Sequence, residues 1–209
     1  MVKNEVTIID YGMGNLLNVK NALRKVGCEV KITSSFLEIE NSRGLVLPGV
    51  GSFRDCMNNL KKDRLIDPIY KFIQSGRPFL GICLGMQILF TESEEFGNTR
   101  GLDIFKGKVV YFSEESGLKI PHMGWNSVKI RKAAPHLKDI PDNSYFYFVH
   151  SCYVIPDDKD IIATTTEYGE EFTSSIWKEN VFACQFHPEK SQRLGLNILK
   201  NFKEVVENC

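Results

Sequence analysis

A cysteine between small residues is the clearest chemical signal in the sequence. Gly81, Cys83 and Gly85 form a Gly-x-Cys-x-Gly pattern within the segment GICLGMQ. The apolar run at 79–82 predicts a strand that enters the pattern, and the apolar residues at 86–90 predict an amphipathic helix that leaves it. A strand, a tight turn and a helix form a nucleophile elbow, where the helix amino terminus favours an anionic side chain. The pattern therefore predicts a thiolate nucleophile at Cys83.

A nucleophilic cysteine needs a general base, and the base needs a group that fixes its tautomer. The segment QFHPEKS supplies both in His187 and Glu189, two residues apart in a chain that Pro188 keeps extended. The apolar run at 181–186 predicts a strand before them, so the pair should lie at the edge of a sheet. We predict a catalytic triad of Cys83, His187 and Glu189.

The remaining histidines are weaker candidates for the base. His136 lies in a charged segment that predicts a loop, and His122 precedes the segment MGWN, where it is expected to shape a surface. His150 ends an apolar strand beside Ser151 and is the second choice as base. A structural interpretation of Cys83 stays open, because a buried cysteine usually acts as a small hydrophobic residue.

The pattern of apolar residues predicts the elements that carry these groups. In the first half, strand-like runs alternate with helical spacing, which predicts a parallel sheet covered on both faces; the strands are expected at 6–9, 29–33, 44–47 and 79–82 and the helices at 16–26 and 60–72. From residue 107 onward, short runs rich in β-branched and aromatic residues predict added, partly antiparallel strands at 109–112, 127–130, 145–149, 161–166 and 172–177. A closing helix is expected at 196–206, and the absence of repeats and linkers predicts one domain over residues 1–209.

Composition limits the functions to consider. Lys plus Arg (26) balances Asp plus Glu (26), so no bulk field attracts nucleic acid or an anionic membrane. No apolar run approaches the ~20 residues of a membrane helix.

The six cysteines form no CxxC pair and no zinc-type spacing with histidine, so we expect free thiols and no metal. The segment DYGMGN lacks the third glycine of a dinucleotide motif and predicts a tight turn instead. No signal peptide is visible, so we expect a cytoplasmic protein. We also expect no cofactor.

Five segments together carry a resemblance to a known family: PGVG, GICLGMQ, PHMGWN, YFVHS and QFHPEKS. The chain resembles the class I, triad-type glutamine amidotransferases, and PHMGWN and YFVHS are similar to the glutaminase subunits of imidazole glycerol phosphate synthases. The resemblance implies a single type 1 glutamine amidotransferase domain with an α/β, flavodoxin-like fold. It also implies a heterodimer with a synthase (cyclase) barrel subunit, which receives ammonia and makes imidazole glycerol phosphate and AICAR in histidine biosynthesis.

The resemblance further implies roles for particular residues. Cys83 attacks the side-chain amide of L-glutamine, His187 acts as base and then acid, and Glu189 orients His187. The backbone N–H groups of Val50 and Leu84 stabilise the oxyanion. Further positions match glutamine-binding residues of the family, namely Gly51, Gln87, Glu95 and Ser151. Three others match the face toward the barrel subunit, namely Trp125, Asn126 and Tyr147.

One position departs from the family pattern. Cys152 follows YFVHS where the family usually has a tyrosine, which puts the glutamine contacts around Ser151 in question. Cys152 is either a second reactive thiol or, as we favour, a neutral substitution, since few cysteines are reactive. For Trp125, the alternative to a partner face is local packing under a loop.

The sequence leaves three other functions as alternatives. A paralogue of the same subunit would carry out the same chemistry for a partner that amidates a surface sugar, and the sequence barely separates the two. A non-catalytic docking scaffold conflicts with the intact triad. A stand-alone cysteine hydrolase acting on a γ-glutamyl peptide conflicts with PHMGWN and YFVHS, which match a partner-facing surface.

Overall fold

The computed structural model describes residues 4–113 and 117–209; the predicted domain also includes residues 1–3 and 114–116, which lie outside the described part. The strands are β1 (Glu5–Ile9), β2 (Glu29–Thr33), β3 (Gly44–Gly49), β4 (Phe79–Cys83), β5 (Phe90–Ser93), β6 (Thr99–Arg100), β7 (Phe105–Tyr111), β8 (His122–Ile130), β9 (Ser144–His150), β10 (Cys152–Pro156), β11 (Ile162–Tyr168), β12 (Glu170–Lys178) and β13 (Val181–Cys184). The helices are α1 (Leu16–Lys25), α2 (Phe36–Asn41), α3 (Phe53–Lys62), α4 (Ile66–Gln74), α5 (Leu84–Gln87) and α6 (Gln192–Glu207), with short 3₁₀ turns at Pro135–Leu137, Lys159–Ile161 and Pro188–Lys190.

Five strands form the parallel part of the sheet, in the order β2-β1-β3-β4-β13. Every residue of β3, β4 and β13 is buried, as expected for strands covered on both faces. Parallel strands bring their carboxyl ends to one edge, so Gly49, Cys83 and Cys184 end side by side. The predicted parallel half of the α/β fold is confirmed.

The second half of the chain extends this sheet with mainly antiparallel strands. From β13 the order continues through β12, β10, β7, β5 and β6, while β11 connects β12 to a β8–β9 hairpin. The predicted antiparallel additions are therefore confirmed. The sequence patterns did not predict α2, β5, β6 and β10.

Helices cover both faces of the sheet and divide the core in two. Apolar side chains of α1 and α6, such as Leu23 and Phe202, pack in one cluster. Those of α3 and α4, such as Leu60 and Phe72, pack in the other. No helix in residues 4–113 or 117–209 is long and apolar enough to cross a membrane.

Two helix predictions need correction. The helical stretch predicted at 60–72 belongs to two helices, α3 and α4, because Arg64 between them has a left-handed φ of 55° that ends the first. The amphipathic helix predicted at 86–90 is only the single turn α5, and Phe90 begins β5. Every residue of α5 is buried, so this segment has no polar face and its apolar residues do not mark an amphipathic helix.

Candidate active site

Cys83 lies at a strained turn between β4 and α5. Its φ of 55° and ψ of −112° are unusual for a residue with a side chain. The turn is packed so closely against β3 that a Cβ atom on Gly85 would lie 1.8 Å from the carbonyl oxygen of Leu47. A Cβ on Gly81 would lie 2.7 Å from the carbonyl oxygen of Gly85. The two glycines therefore allow the turn that presents the thiol at the carboxyl edge of the sheet.

His187 and Glu189 form a buried pair beside the thiol. The prediction of an extended chain at Pro188 was wrong, because Pro188–Lys190 is a 3₁₀ turn. The distance between His187 Nδ1 and Glu189 Oε1 is 2.8 Å, and their side chains are 2% and 1% exposed. Burial opposes protonation of His187, but the charges of Cys83 and Glu189 outweigh it and raise the pKa of His187 to about 10. His187 Nε2 is buried and has no hydrogen-bond partner among the described residues, so this atom is available to exchange a proton with the sulfur.

Ser191, which sequence analysis did not single out, holds the segment that carries the predicted base. The backbone N–H of His187 donates to the carbonyl of Tyr147 at 2.9 Å. The Oγ atom of Ser191 accepts from the backbone N–H of Tyr147 at 3.0 Å and donates to the carbonyl of His187 at 2.7 Å. Ser191 closes the QFHPEKS segment, which is the only sequence signal that could have suggested it.

The end of β3 lies against the cysteine turn. A Cβ on Gly49 would lie 2.7 Å from Leu84 Cβ and 2.8 Å from the hydroxyl of Tyr11, so only glycine fits this approach. The same hydroxyl donates to the carbonyl of Pro48 at 2.8 Å and fixes the strand end. Val50 follows and is 39% exposed. The fold thus brings the two residues predicted to stabilise an oxyanion, Val50 and Leu84, to the same edge as the thiol.

A cavity of about 430 Å³ opens at this edge. Its lining includes eight of the residues predicted for catalysis and glutamine binding, namely Val50, Gly51, Cys83, Leu84, Gln87, Glu95, Ser151 and His187. Such a volume is in the range of small-molecule sites, roughly 300–1,000 Å³. Glu189 does not line the cavity and contacts His187 from behind. Glu95 Oε2 accepts from the backbone N–H of Phe53 at 2.6 Å, which fixes its carboxylate at the start of α3.

The other histidines are neutral and buried, so the expectation that His122 shapes a surface was wrong. Burial lowers the pKa of His150 to about 3 and that of His122 to about 4. His150 Nδ1 lies 2.8 Å from the carbonyl of Cys152, and its Nε2 lies 3.0 Å from His122 Nδ1. His150 lines the cavity, but this pKa makes it a poor base at neutral pH.

The expectation that His136 lies in a charged loop was wrong. The side chain is buried in the 3₁₀ turn Pro135–Leu137 and stacks on Phe182, with ring centroids 4.4 Å apart. Burial lowers its pKa to about 3. The charged residues near His136 in the sequence point outward, so the sequence pattern does not indicate that the ring is buried. The ring packs under α6.

The three residues predicted to face a partner lie outside the cavity, on the β8–β9 hairpin. Trp125 is 45% exposed and meets the ring of Tyr147 edge-on at 6.2 Å. This exposure argues against the alternative that Trp125 packs beneath a loop. Asn126 is anchored inward, because its Nδ2 donates to the carbonyl of Glu167 at 2.9 Å and lies 3.2 Å from His122 Nε2.

Cys152 is buried and poorly suited to be a second nucleophile. Burial, reinforced by the charge of Glu95, raises the pKa of its thiol to about 12. All six cysteines are free thiols, and Cys209 is the exposed one. Within residues 4–113 and 117–209, no group of three or more His, Cys, Asp and Glu side chains is arranged to hold a metal ion.

Comparison with known proteins places this chain in a family. The model for "Glutamine amidotransferase class-I" matches residues 7–205. An imidazole glycerol phosphate synthase subunit HisH from Caldanaerobacter subterraneus subsp. tengcongensis is 54% identical over 97% of this chain and 98% of its own length. The HisH subunit from Syntrophotalea carbinolica is 50% identical over 96% of this chain and 100% of its own length.

The fold has relatives at lower sequence identity. The structure of PurLQS from Thermotoga maritima superposes with a TM-score of 0.76 at 19% identity, covering 99% of both chains. That likeness concerns the fold alone. The family match and the two relatives show that this chain belongs to the class I glutamine amidotransferases.

Proposed function

We propose that this chain is the glutaminase subunit of an imidazole glycerol phosphate synthase. The observation that carries the proposal is the buried His187–Glu189 pair beside the strained Cys83 turn, with Cys83 and His187 lining one cavity. The full-length relatives named as HisH subunits support the pathway. They do not favour the alternative of a paralogue that serves a sugar-amidating partner.

The first half of the reaction forms a thioester. The thiolate of Cys83 attacks the side-chain carbonyl carbon of L-glutamine, and the π electrons move to oxygen. Backbone N–H groups of Val50 and Leu84 stabilise this oxyanion; one such donor is worth about 2.7–4 kcal/mol. The imidazolium of His187 then donates its Nε2 proton to the leaving nitrogen, the C–N bond breaks, and ammonia leaves a γ-glutamyl thioester on Cys83.

The second half hydrolyses the thioester. His187, now neutral, accepts a proton from water as the water oxygen attacks the thioester carbonyl. The C–S bond breaks, the thiolate of Cys83 re-forms, and glutamate leaves. Glu189 keeps His187 in the required tautomer and stabilises its charged form through the 2.8 Å contact.

We assign glutamine binding to four cavity residues, namely Gly51, Gln87, Glu95 and Ser151. The carboxylate of Glu95 suits the α-ammonium group of the substrate by charge, and the polar groups of Ser151 suit its α-carboxylate. Cys152 contributes its backbone rather than its thiol, since its carbonyl accepts the Gln87 amide at 2.9 Å.

The β8–β9 hairpin of this chain is proposed to bind the partner, a synthase barrel subunit, in a heterodimer. Trp125 and Tyr147 present aromatic rings beside the site, and aromatic residues are enriched in interfaces. Asn126 anchors the hairpin inward. Ammonia passes to the barrel subunit, which forms imidazole glycerol phosphate and AICAR. We further propose a cytoplasmic location and a single type 1 domain over residues 1–209.

The test is glutamate release from L-glutamine by the purified chain, with and without a barrel subunit carrying its ribonucleotide ligand. We expect strong stimulation by the loaded barrel subunit and its loss in Cys83→Ala. Slow release that the barrel leaves unchanged would contradict the assigned partner. Full activity in Cys83→Ala would contradict the assigned nucleophile.

A further inference from the structure

Gln185 is a buried polar side chain that the reaction described above does not use. It follows β13, and its side chain is 0% exposed. The parallel register of β13 and β4 pairs Cys184 with Ile82, so the next residues along the two chains, Gln185 and Cys83, are neighbours at the carboxyl edge. The Gln185 side-chain Nε2 lies 3.6 Å from Cys83 Sγ, within the range of an N–H···S hydrogen bond.

The orientation of the Gln185 amide is fixed by its neighbours. The carbonyl oxygen of Cys152 can only accept, so Gln87 Nε2, 2.9 Å away, must be the donor. The same Gln87 Nε2 lies 3.0 Å from Gln185 Oε1, which must then be the accepting atom. The Nε2 of Gln185 is therefore left to face the sulfur.

The backbone of Gln185 is held as well. Its N–H donates to the carbonyl of Ser174 at 2.9 Å, which ties the residue to β12. On another side of the thiol, Cys83 Sγ lies 3.9 Å from the carbonyl of Val149. That carbonyl can accept from a thiol but repels a thiolate, whereas the Gln185 N–H favours the thiolate.

We propose that Gln185 is a catalytic residue that stabilises the Cys83 thiolate by hydrogen bonding, and that Gln87 is a positioning residue that orients it. The inference rests on the proposed function in that Cys83 is taken as the nucleophile. It adds a second group to the control of the thiol, besides His187. It also gives the Gln87 amide a role in orienting Gln185 that does not depend on bound glutamine.

The test measures alkylation of Cys83 by iodoacetamide across pH 5 to 9, with the modified peptide identified by mass spectrometry. The chain carries Cys209→Ser, because Cys209 is the exposed thiol. Variants are Gln185→Met, which removes the donor; Gln185→Glu, which keeps the shape but supplies an acceptor; and Gln87→Met. The matched control is Gln74→Met, the same change at the exposed carboxyl end of α4.

We expect the midpoint of the profile to move to higher pH in Gln185→Met. The alkylation rate near neutral pH should fall about tenfold, the lower end of what a hydrogen bond to a charged group contributes. Gln185→Glu should fall further, because a carboxylate repels the thiolate. Gln87→Met should shift the profile in the same direction by less, and Gln74→Met should match the parent chain.

Two results would overturn the proposal. One is a Gln185→Met profile that superposes on the parent profile. The other is a Gln185→Glu profile close to the parent one while Gln185→Met shifts, which would mean that only the shape of the side chain matters. If near-UV circular dichroism shows that Gln185→Met is misfolded, the proposal is tested by Gln185→Glu and Gln87→Met. Profiles of these two variants that superpose on the parent profile would then overturn it. Alkylation needs no glutamine or partner, so a failed glutaminase assay would refute the proposed function without affecting this result.

Discussion

The backbone of His187 is hydrogen-bonded to the backbone of Tyr147, with His187 N–H donating to the Tyr147 carbonyl at 2.9 Å. Tyr147 belongs to β9, and its ring contacts the ring of Trp125 on the surface. The proposed base and the proposed partner face are therefore one hydrogen bond apart. Ser191 bridges the same two residues, because its Oγ atom accepts from the N–H of Tyr147 and donates to the carbonyl of His187.

Ser191→Ala tests this bridge. The substitution removes the hydroxyl that accepts from the N–H of Tyr147 and donates to the carbonyl of His187. We therefore expect a loss of about 1–3 kcal/mol in the free energy of unfolding. We also expect a several-fold lower kcat for glutamine hydrolysis in the complex, because His187 is held less firmly. Urea unfolding and glutamate release measure the two effects. In Ser75→Ala, which removes a serine–carbonyl bond at the end of α4, kcat should not change.

Glu189→Gln tests the proposed orienting group. The variant keeps the shape of the side chain but removes the charge that helps to raise the pKa of His187. We expect glutaminase activity to fall by about 10²–10⁴-fold, the usual contribution of general acid–base catalysis. The pH profile of kcat/KM should also shift, since His187 loses its proton at lower pH. Glu94→Gln, which removes an exposed carboxylate paired with Lys108, is the control and should retain full activity.

Gly85→Ala tests the packing of the cysteine turn. The added Cβ would lie 1.8 Å from the Leu47 carbonyl, and neither backbone can move without displacing β3 or Cys83. We expect a loss of about 3 kcal/mol or more in the free energy of unfolding, at the upper end for overpacked sites. Gly76→Ala is the comparison, because nothing lies within 4 Å of its added Cβ and its φ of 78° is the only strain. There the cost should be about 1–2 kcal/mol. Equal losses in the two variants would contradict the close packing.

The sequence could predict the parts of the site that depend on local pattern. An apolar run ending in Gly-x-Cys-x-Gly places Cys83 at a strand end, and a second run ending in HPE places His187 at a neighbouring one. Because parallel strands share a carboxyl edge, these two residues meet without any knowledge of loops. The local sequence could not show that α5 is buried on every side, since apolar residues alone do not distinguish an amphipathic helix from a fully enclosed turn.

The hydrogen bonds that fix the site could not be predicted in this way. Gln185 faces Cys83 only because of the register between β13 and β4, and its amide is oriented only because Gln87 meets the Cys152 carbonyl. Each of these contacts joins residues more than sixty positions apart. Sequence patterns specify faces and edges of elements, whereas register and side-chain direction arise from the packed fold.

The stacked His136 gives the chain a source of acid sensitivity. Its folded-state pKa is lowered to about 3 by burial, and both ring nitrogens lack hydrogen-bond partners among the described residues. In the unfolded chain the pKa is near 6.5. Below that value the unfolded state binds a proton that the folded state excludes, so stability must fall as pH decreases from about 6.5 toward 3, by about 1.4 kcal/mol per pH unit. His187 acts in the opposite direction: with its pKa raised to about 10, its contribution is present below 6.5 and is lost only as pH rises toward 10.

His136→Leu isolates this effect. Leucine fills a similar volume between Phe182 and α6 and has no group to protonate, so the free energy of unfolding should depend less steeply on pH below 6.5. At pH 5 the variant should gain about 2 kcal/mol relative to its difference from the parent at pH 8. Urea unfolding at pH 5, 6.5 and 8 measures the slope. His122 and His150 retain their own lowered pKa values, so a residual slope is expected in the variant. Parallel stability curves for the two proteins would mean that His136 is protonated equally in the folded and unfolded states.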